Sequence, residues 1–495
     1  MKLQKILTVV AGLVSLALLG GCAEKDVKEI SVLIRMMPAQ ETFFRDQIIP
    51  EFEKIHKCKI KIGNFENEWD IVKFLDLEKA KKHGDIALVK VPFEMTHVLV
   101  QKGFMSDLYV AQDTSVVNQD LAEYHPLASG LGYINDKPYY IPRKLETRTM
   151  FYLKSKVTDA VTAFPKHKDR INKELKKLNG YGLPFEYVLE ADPNQWDFYD
   201  VYVVGNIWAN TEYNGVKMGR VAHRGARYGG TALDLIDKSL QLGATKEDIL
   251  SLTSDKVVGM FLWERMFVES NVYNPAMWQD QWKGSNIYNG IKDGKVYLSI
   301  LQQIDQFLVH GWKDDPTMPT FLPDENDMGL ALMPKAVSFE LDAQGKYKYE
   351  GSRAQSTGGW WWGIPKTAPN ARLAYALARF ITNRENQAKE CSKFGMLPVR
   401  KDILQNLQQV FDQGWVGDIF KVAVEQIAAN DLTTVPLVKS YTDVGQTYID
   451  AWLGLCVDPK LPSGQSMNFS TMKTKLTSDY LGKYKEKIGT DYPNK

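Results

Sequence analysis

Between residues 29 and 91 the chain switches repeatedly between two hydrophobic periods, and this switching restricts the fold more than any other feature of the sequence. EISVLIR (29–35) alternates apolar and polar residues, as a strand does. A helical stripe of Phe44, Ile48, Phe52 and Ile55 follows within 43–56, where Pro50 is expected to kink or split the helix. Residues 58–63 read as a second strand and 71–83 as a second helix. DIALVKV (85–91) is a third strand with almost no alternation, as expected when both faces are covered. Strand, helix, strand, helix, strand at this spacing implies a parallel α/β unit with right-handed crossovers. Ligands bind at the carboxyl ends of such strands, here 36–41, 64–69 and 90–93. Gln40, Glu41, Trp69 and Phe93 are therefore cleft candidates, although Trp69 serves equally well packed on the following helix.

The stretch 357–400 holds TGGWWWGIPK, a helix and a closing LPVR. Gly358 and Gly359 have no Cβ and let the backbone approach another surface closely. Trp360, Trp361 and Trp362 alternate faces if the chain is extended. Three consecutive indoles are hard to bury together, so one of them is expected to face a cleft while the others are free to enter a core. Pro369-Asn370 opens a helix in which Leu373, Leu377, Phe380 and Ile381 share a face.

Taken together, Gly358, Gly359, Trp360, Ile364-Pro365-Lys366, Glu385-Asn386-Gln387 and Leu397-Pro398-Val399-Arg400 resemble the C-terminal hinge region of extracellular solute-binding proteins of the carbohydrate type. Those are the capture components of ABC importers. Residues 48–54 (IIPEFEK) are similar to the first unit of that family, and 138–156 to its first crossover between lobes. The resemblance implies an α/β, two-lobe periplasmic-binding-protein fold of type II, each lobe a sheet flanked by helices and joined by hinge crossovers. It places lobe one at 28–143 and 296–365, and lobe two at 144–295 and 366–495. GKVYLSI (294–300) looks like a strand returning to lobe one, and DMGLALMP (327–334) like the next strand of that lobe. Arg143, Glu146 and Thr147 would then point into the cleft mouth, unless this charged segment is a solvated hinge. Gly359 and Arg400 would lie at the crossovers, and Tyr441 where the family carries a further cleft aromatic. The implied mechanism is hinge closure on a solute.

The middle of the chain matches less well. Trp196 and Trp208 are twelve apart in an apolar helical pattern and either frame one binding face or sit in a core. Residues 215–230 are glycine-rich and basic, but carry no nucleotide-binding motif and read as a solvated loop or hairpin. Trp278 and Trp282 flank glutamine and aspartate. Flat rings beside amide and carboxylate groups suit a sugar, whose C–H faces stack while its hydroxyls are held in pairs.

At the N-terminus, Lys2 and Lys5 precede an apolar run of 14 residues, too short to span a bilayer, and then Leu19-Gly20-Gly21-Cys22. This looks like a lipoprotein signal peptide at 1–21, a lipidated Cys22 and a tether at 22–27; an ordinary signal peptide with an incidental cysteine is the alternative. Of Cys58, Cys391 and Cys456, at most two can pair, and Cys391 with Cys456 is the favoured pair. The net charge of +1 gives no field that would favour nucleic acid. No catalytic signature, metal spacing or cofactor motif is present, so no enzyme activity, cofactor or metal is expected. The expectation is a monomeric, exported binding lipoprotein on the extracytoplasmic face of the membrane or in the periplasm. Its partners would be a small solute, most simply a carbohydrate, and ABC permease subunits. A glycan-binding or sensory surface lipoprotein without an importer is the alternative from another class. A glycosidase would need two carboxylates about 5–10 Å apart across the cleft.

Overall fold

The computed structural model describes residues 29–81, 84–211, 221–313, 315–356, 358–405, 414–429, 434–461 and 466–493. The expected signal peptide, Cys22 and the tether lie outside the described residues. In chain order the strands are β1 (Glu29–Ile34), β2 (Lys59–Asn64), β3 (Ile86–Pro92), the short β4 (Tyr133–Ile134) and β5 (Lys137–Pro138), β6 (Tyr140–Glu146), β7 (Arg148–Leu153), β8 (Val221–Ala222), β9 (Leu298–Gln302), β10 (Met328–Ala331) and β11 (Gly358–Gly363). They form two main sheets, ordered β2-β1-β3-β11-β6 and β10-β7-β9-β8.

The first sheet begins as the alternating periods require. β1 pairs in parallel with β2 on one side and β3 on the other. Every residue of β3 is buried, which accounts for its unbroken apolar run, whereas the edge strand β2 is largely exposed. The helical region before β2 contains a π-helical turn at Phe44–Ile48. Pro50 follows in the first turn of the helix Ile49–His56, where its missing N–H costs no ladder bond. Phe44, Ile48 and Phe52 are buried as their spacing predicts, but Ile55 is 57% exposed. β11 runs antiparallel between β3 and β6. A Cβ on Gly358 would stand 2.4 Å from the Phe93 ring, and one on Gly359, with φ +154°, 2.1 Å from the Lys144 carbonyl. These two glycines allow the close approach that the sequence implied.

β6 and β7 are separated by Thr147 alone, yet they belong to different sheets. The chain thus passes from one sheet to the other in a single residue. β9 and β10 both pair antiparallel with β7 and complete the second sheet. The expectation that 294–300 and 327–334 add strands to the first sheet is corrected by this pairing. An apolar run shows that a strand exists but not which edge it joins, since both sheets offer apolar faces. The helix Ala371–Ile381, just after β11, lies against β3 and β6 and so also stays with the first sheet.

Behind the second sheet, the helix Phe198–Ala209 is buried along its whole length and capped by Asp197, whose carboxylate accepts from the Tyr199 and Asp200 amides. Residues 338–356 form an irregular hairpin with bridges Val337 to Glu350 and Leu341 to Tyr347. Cys58, Cys391 and Cys456 are all buried free thiols, so the expected Cys391–Cys456 disulfide is absent. Cys391 lies beside the Arg143 and Lys144 charges of the first sheet, and the Cys456 thiol donates to the Phe261 carbonyl at 3.3 Å.

Candidate functional site

The strand ends of the first sheet, the Thr147 crossing and three helix starts of the second half enclose a cavity of about 510 Å³. Arg35 and Met36 follow β1, Phe65 and Glu68 follow β2, and Phe93 and Glu94 follow β3. Gly359 and Trp360 enter from β11. The facing wall carries Arg224 and Tyr228, just before the helix Gly229–Gln241, Tyr288 from the helix Gly284–Lys292 and Asp305 from the first turn of the helix Gln303–His310. Parallel strands leave their carboxyl ends together at one edge, which is why residues far apart in sequence converge here. A larger groove of about 1260 Å³, lined by Tyr152, Trp312 and Trp415, opens beside the edge strand β10, away from those strand ends.

The floor is a polar network held by the crossing. Gln303 accepts the Thr147 amide at 2.9 Å, and Gln355 accepts the Arg148 amide at 2.9 Å. Gln355 also donates to the Thr147 hydroxyl, and Gln306 to that of Thr149. The alternative of a solvated hinge does not hold here: Arg143, Glu146 and Thr147 are each under 8% exposed. Two of these glutamines, Gln303 and Gln355, satisfy backbone amides that the two sheets leave unpaired.

Charge on the two walls is organised differently. On the second wall, Arg224 pairs with Asp305 at 2.7 Å and Asp234 at 3.3 Å, while Arg148 pairs with Asp237. Tyr288 donates its hydroxyl to Asp305. On the first wall, Glu146 accepts from Lys144, from the Trp360 indole at 3.1 Å and from Gln302 at 2.8 Å. Burial opposes its charge, but the Lys144 ammonium holds it below the usual carboxylate range. Arg35 pairs with Glu68, whose second oxygen is buried without a partner. Burial, reinforced by the Glu68 charge, pushes Glu94 up to about 8. Burial and the neighbouring Arg143 and Lys144 charges push Lys90 well below the usual lysine range. Five ring-bearing side chains, Phe65, Phe93, Tyr228, Tyr288 and Trp360, stand among these charges. The arrangement can grip a small polar solute with flat apolar faces.

Among the residues singled out from sequence, Gln40, Glu41, Phe93, Glu146, Thr147, Gly358, Gly359 and Trp360 line this cavity. The others sit elsewhere. Trp69 is half-buried between Gly229 and Gly445. Arg143 is buried in an ion pair with Glu390 at 2.7 Å. Trp196 and Trp208 are core residues whose indoles donate to the Glu190 and Lys156 carbonyls at 2.7 and 3.0 Å. Trp278 meets Trp452 edge-on, and Trp282 is buried over Gly290. Trp361 is sealed in the first core with its indole on the Ala128 carbonyl, and Trp362 stacks on Phe44. Arg400 is held by Glu123 and Asp402, and Tyr441 is fully buried. Of residues 215–230, expected to be a solvated loop or hairpin, 215–220 lie outside the described residues, and 221–230 instead bury His223 and Arg224. Lys90 and Glu94 bracket Phe93 at a strand end already marked as a ligand position, so they were within reach of the same rule. Arg224, Tyr228 and Asp305 carried no comparable signal, because their roles depend on a facing wall that periodicity does not describe.

Residues 47–415 match the family model for the bacterial extracellular solute-binding proteins. The chain belongs to that family. It is a family of solute-binding proteins rather than of enzymes. No curated protein matches the chain. Among solved structures, it is similar to the GacH receptor of Streptomyces glaucescens, determined unliganded and with acarbose. That likeness has a TM-score of 0.64 at 14% identity and covers 94% of this chain and 99% of that one. A solute-binding protein of Thermotoga lettingae bound with α-D-tagatose is similar at TM-score 0.66 and 15% identity, over 92% and 99%. The maltotriose-binding protein of Thermus thermophilus gives 0.62 and 12%, over 93% and 100%. These likenesses bear out the two-lobe periplasmic-binding architecture of the family. No described helix is long and apolar enough to cross a membrane.

Proposed function

We propose that this chain captures a carbohydrate in the cleft between two lobes and presents it to an ABC importer. The first lobe is the sheet β2-β1-β3-β11-β6 with the helix Ala371–Ile381, and the second is the sheet β10-β7-β9-β8 with its helices. The observation that carries this reading is the cavity lined from both sheets and floored by the one-residue crossing at Thr147. A solute touching both walls stabilises the closed arrangement in proportion to its differential affinity. Trp360, Tyr228 and Phe93 supply faces for sugar rings, and Glu146, Gln302 and Gln40 supply orienting polar groups. The similar structures with acarbose, tagatose and maltotriose support a carbohydrate as the solute class. In this reading the protein is exported and anchored through a lipidated Cys22, with the apolar run before it as signal peptide.

A thermal-shift screen over saccharides, peptides, polyamines and small anions tests the proposal. A saccharide at a hundred times its Kd adds about 2.7 kcal/mol to the stability of the folded form. A rise in Tm with one or more saccharides is expected; a rise confined to peptides or polyamines would sink the carbohydrate reading.

A further inference from the structure

Among the described residues that line the cleft, Lys90 is a cation without a carboxylate partner. Arg35, Lys144, Arg148 and Arg224 are each paired with Glu or Asp. Lys90 is 2% exposed, yet its ammonium meets only the Arg35 carbonyl at 2.5 Å and the Trp360 ring, whose centroid is 4.0 Å away. Glu146, the acid on the same wall, is already taken by Lys144, Trp360 and Gln302. Glu94, pushed up to about 8 by burial and by Glu68, is largely uncharged at neutral pH and supplies no counter-charge. The Glu146 charge reaches Lys90 but is shared with Lys144 and does not offset burial and the Arg143 and Lys144 charges, so the ammonium form of Lys90 is costly until a further anion joins it.

We infer that the solute carries an anionic group, as an acidic saccharide does, and that Lys90 is its counter-charge in the cleft. This rests on the carbohydrate reading above and narrows it. A carboxylate on a sugar ring and a sulfate ester both present oxygens to the two remaining N–H donors of Lys90. The Trp360 indole lies against the same ammonium, so a ring stacked near it brings an acid group into range. A neutral sugar of the same size would leave the charge unmatched in the closed cleft.

Calorimetric and thermal-shift titrations of the wild-type protein with an oligogalacturonate, a sulfated disaccharide and a neutral malto-oligosaccharide of matched length test this. The expected result is that at least one acidic sugar binds about 10- to 100-fold more tightly than the neutral one, the range of one charge-assisted hydrogen bond. A response to the oligogalacturonate alone assigns a carboxylate, and to the sulfated sugar alone a sulfate. Lys90→Met should abolish the acid preference while its ligand-free Tm holds or rises. Equal or tighter binding of the neutral sugar overturns the inference and leaves the carbohydrate reading standing, and it does so without any variant. An acid preference that persists in Lys90→Met overturns the assignment to Lys90. Binding of peptides or polyamines alone removes both readings.

Discussion

The two walls of the cleft hold charge in opposite ways. The second wall is closed on itself: Arg148 and Arg224 are shared among Asp234, Asp237 and Asp305, and Tyr288 completes the set. The first wall is left open, with Lys90 lacking a carboxylate paired to it and Glu94 held largely uncharged by burial beside Glu68. A wall whose charges are all matched gains nothing electrostatic from a ligand and serves as a platform. A wall with unmatched groups is strained until something completes it. The contrast assigns support to one side and recognition to the other.

The largest effect should come from opening the closed wall. Arg224→Ala leaves Asp305 buried without its cation and Asp234 with Arg148 alone, and should cost about 3–5 kcal/mol of stability, read by denaturant unfolding. Lys90→Met, on the open wall, should cost nothing by the same measurement. An equal loss in both variants would erase the distinction. The tryptophans sharpen it next. Trp362→Ala should lose about 3–5 kcal/mol by creating a core cavity, with ligand affinity lowered only through stability. Trp360→Ala should lose less stability and most of its affinity, as judged by comparing ligand-free Tm with titration. The smallest effect concerns Glu94. Its folded pKa lies above the unfolded value, so the stability tied to its proton is complete below about 4.5 and is lost as pH rises towards about 8. Glu94→Gln should therefore be more stable than wild type at pH 8, by an amount on the order of 1–3 kcal/mol. That gain should shrink towards pH 5; a difference flat across this range would show that Glu94 is solvated.

Much of the first half was readable because local periodicity and a general rule about strand ends act within a few residues. The buried run 85–91 became β3, and Phe93 at its end lines the cleft. The glycine pair before Trp360 also spoke directly, since a missing Cβ has a steric consequence wherever the chain goes. The tryptophans were harder. Trp196, Trp208, Trp278 and Trp282 have the composition of a sugar site, but an indole satisfied by a backbone carbonyl is indistinguishable in sequence from one waiting for a ligand. The membership of β9 and β10 was hidden for a related reason: partner choice is set by which edge is free, and that is decided by the rest of the fold. Arg224 shows the same limit, as a basic residue in a glycine-rich stretch became buried only because Asp234 and Asp305 arrive from elsewhere.

The three interior thiols have a chemical consequence. Burial holds Cys391 and Cys456 far towards the protonated form and raises Cys58 as well, so the nucleophilic thiolate is scarce at all three positions. Maturation of this polypeptide calls for no oxidase or isomerase at these positions, and peroxide or an alkylating reagent finds little to attack while the chain is native. Each sulfur becomes a timer that starts only when its surroundings come apart, and one of them, Cys391, reports on the sheet that carries Lys90.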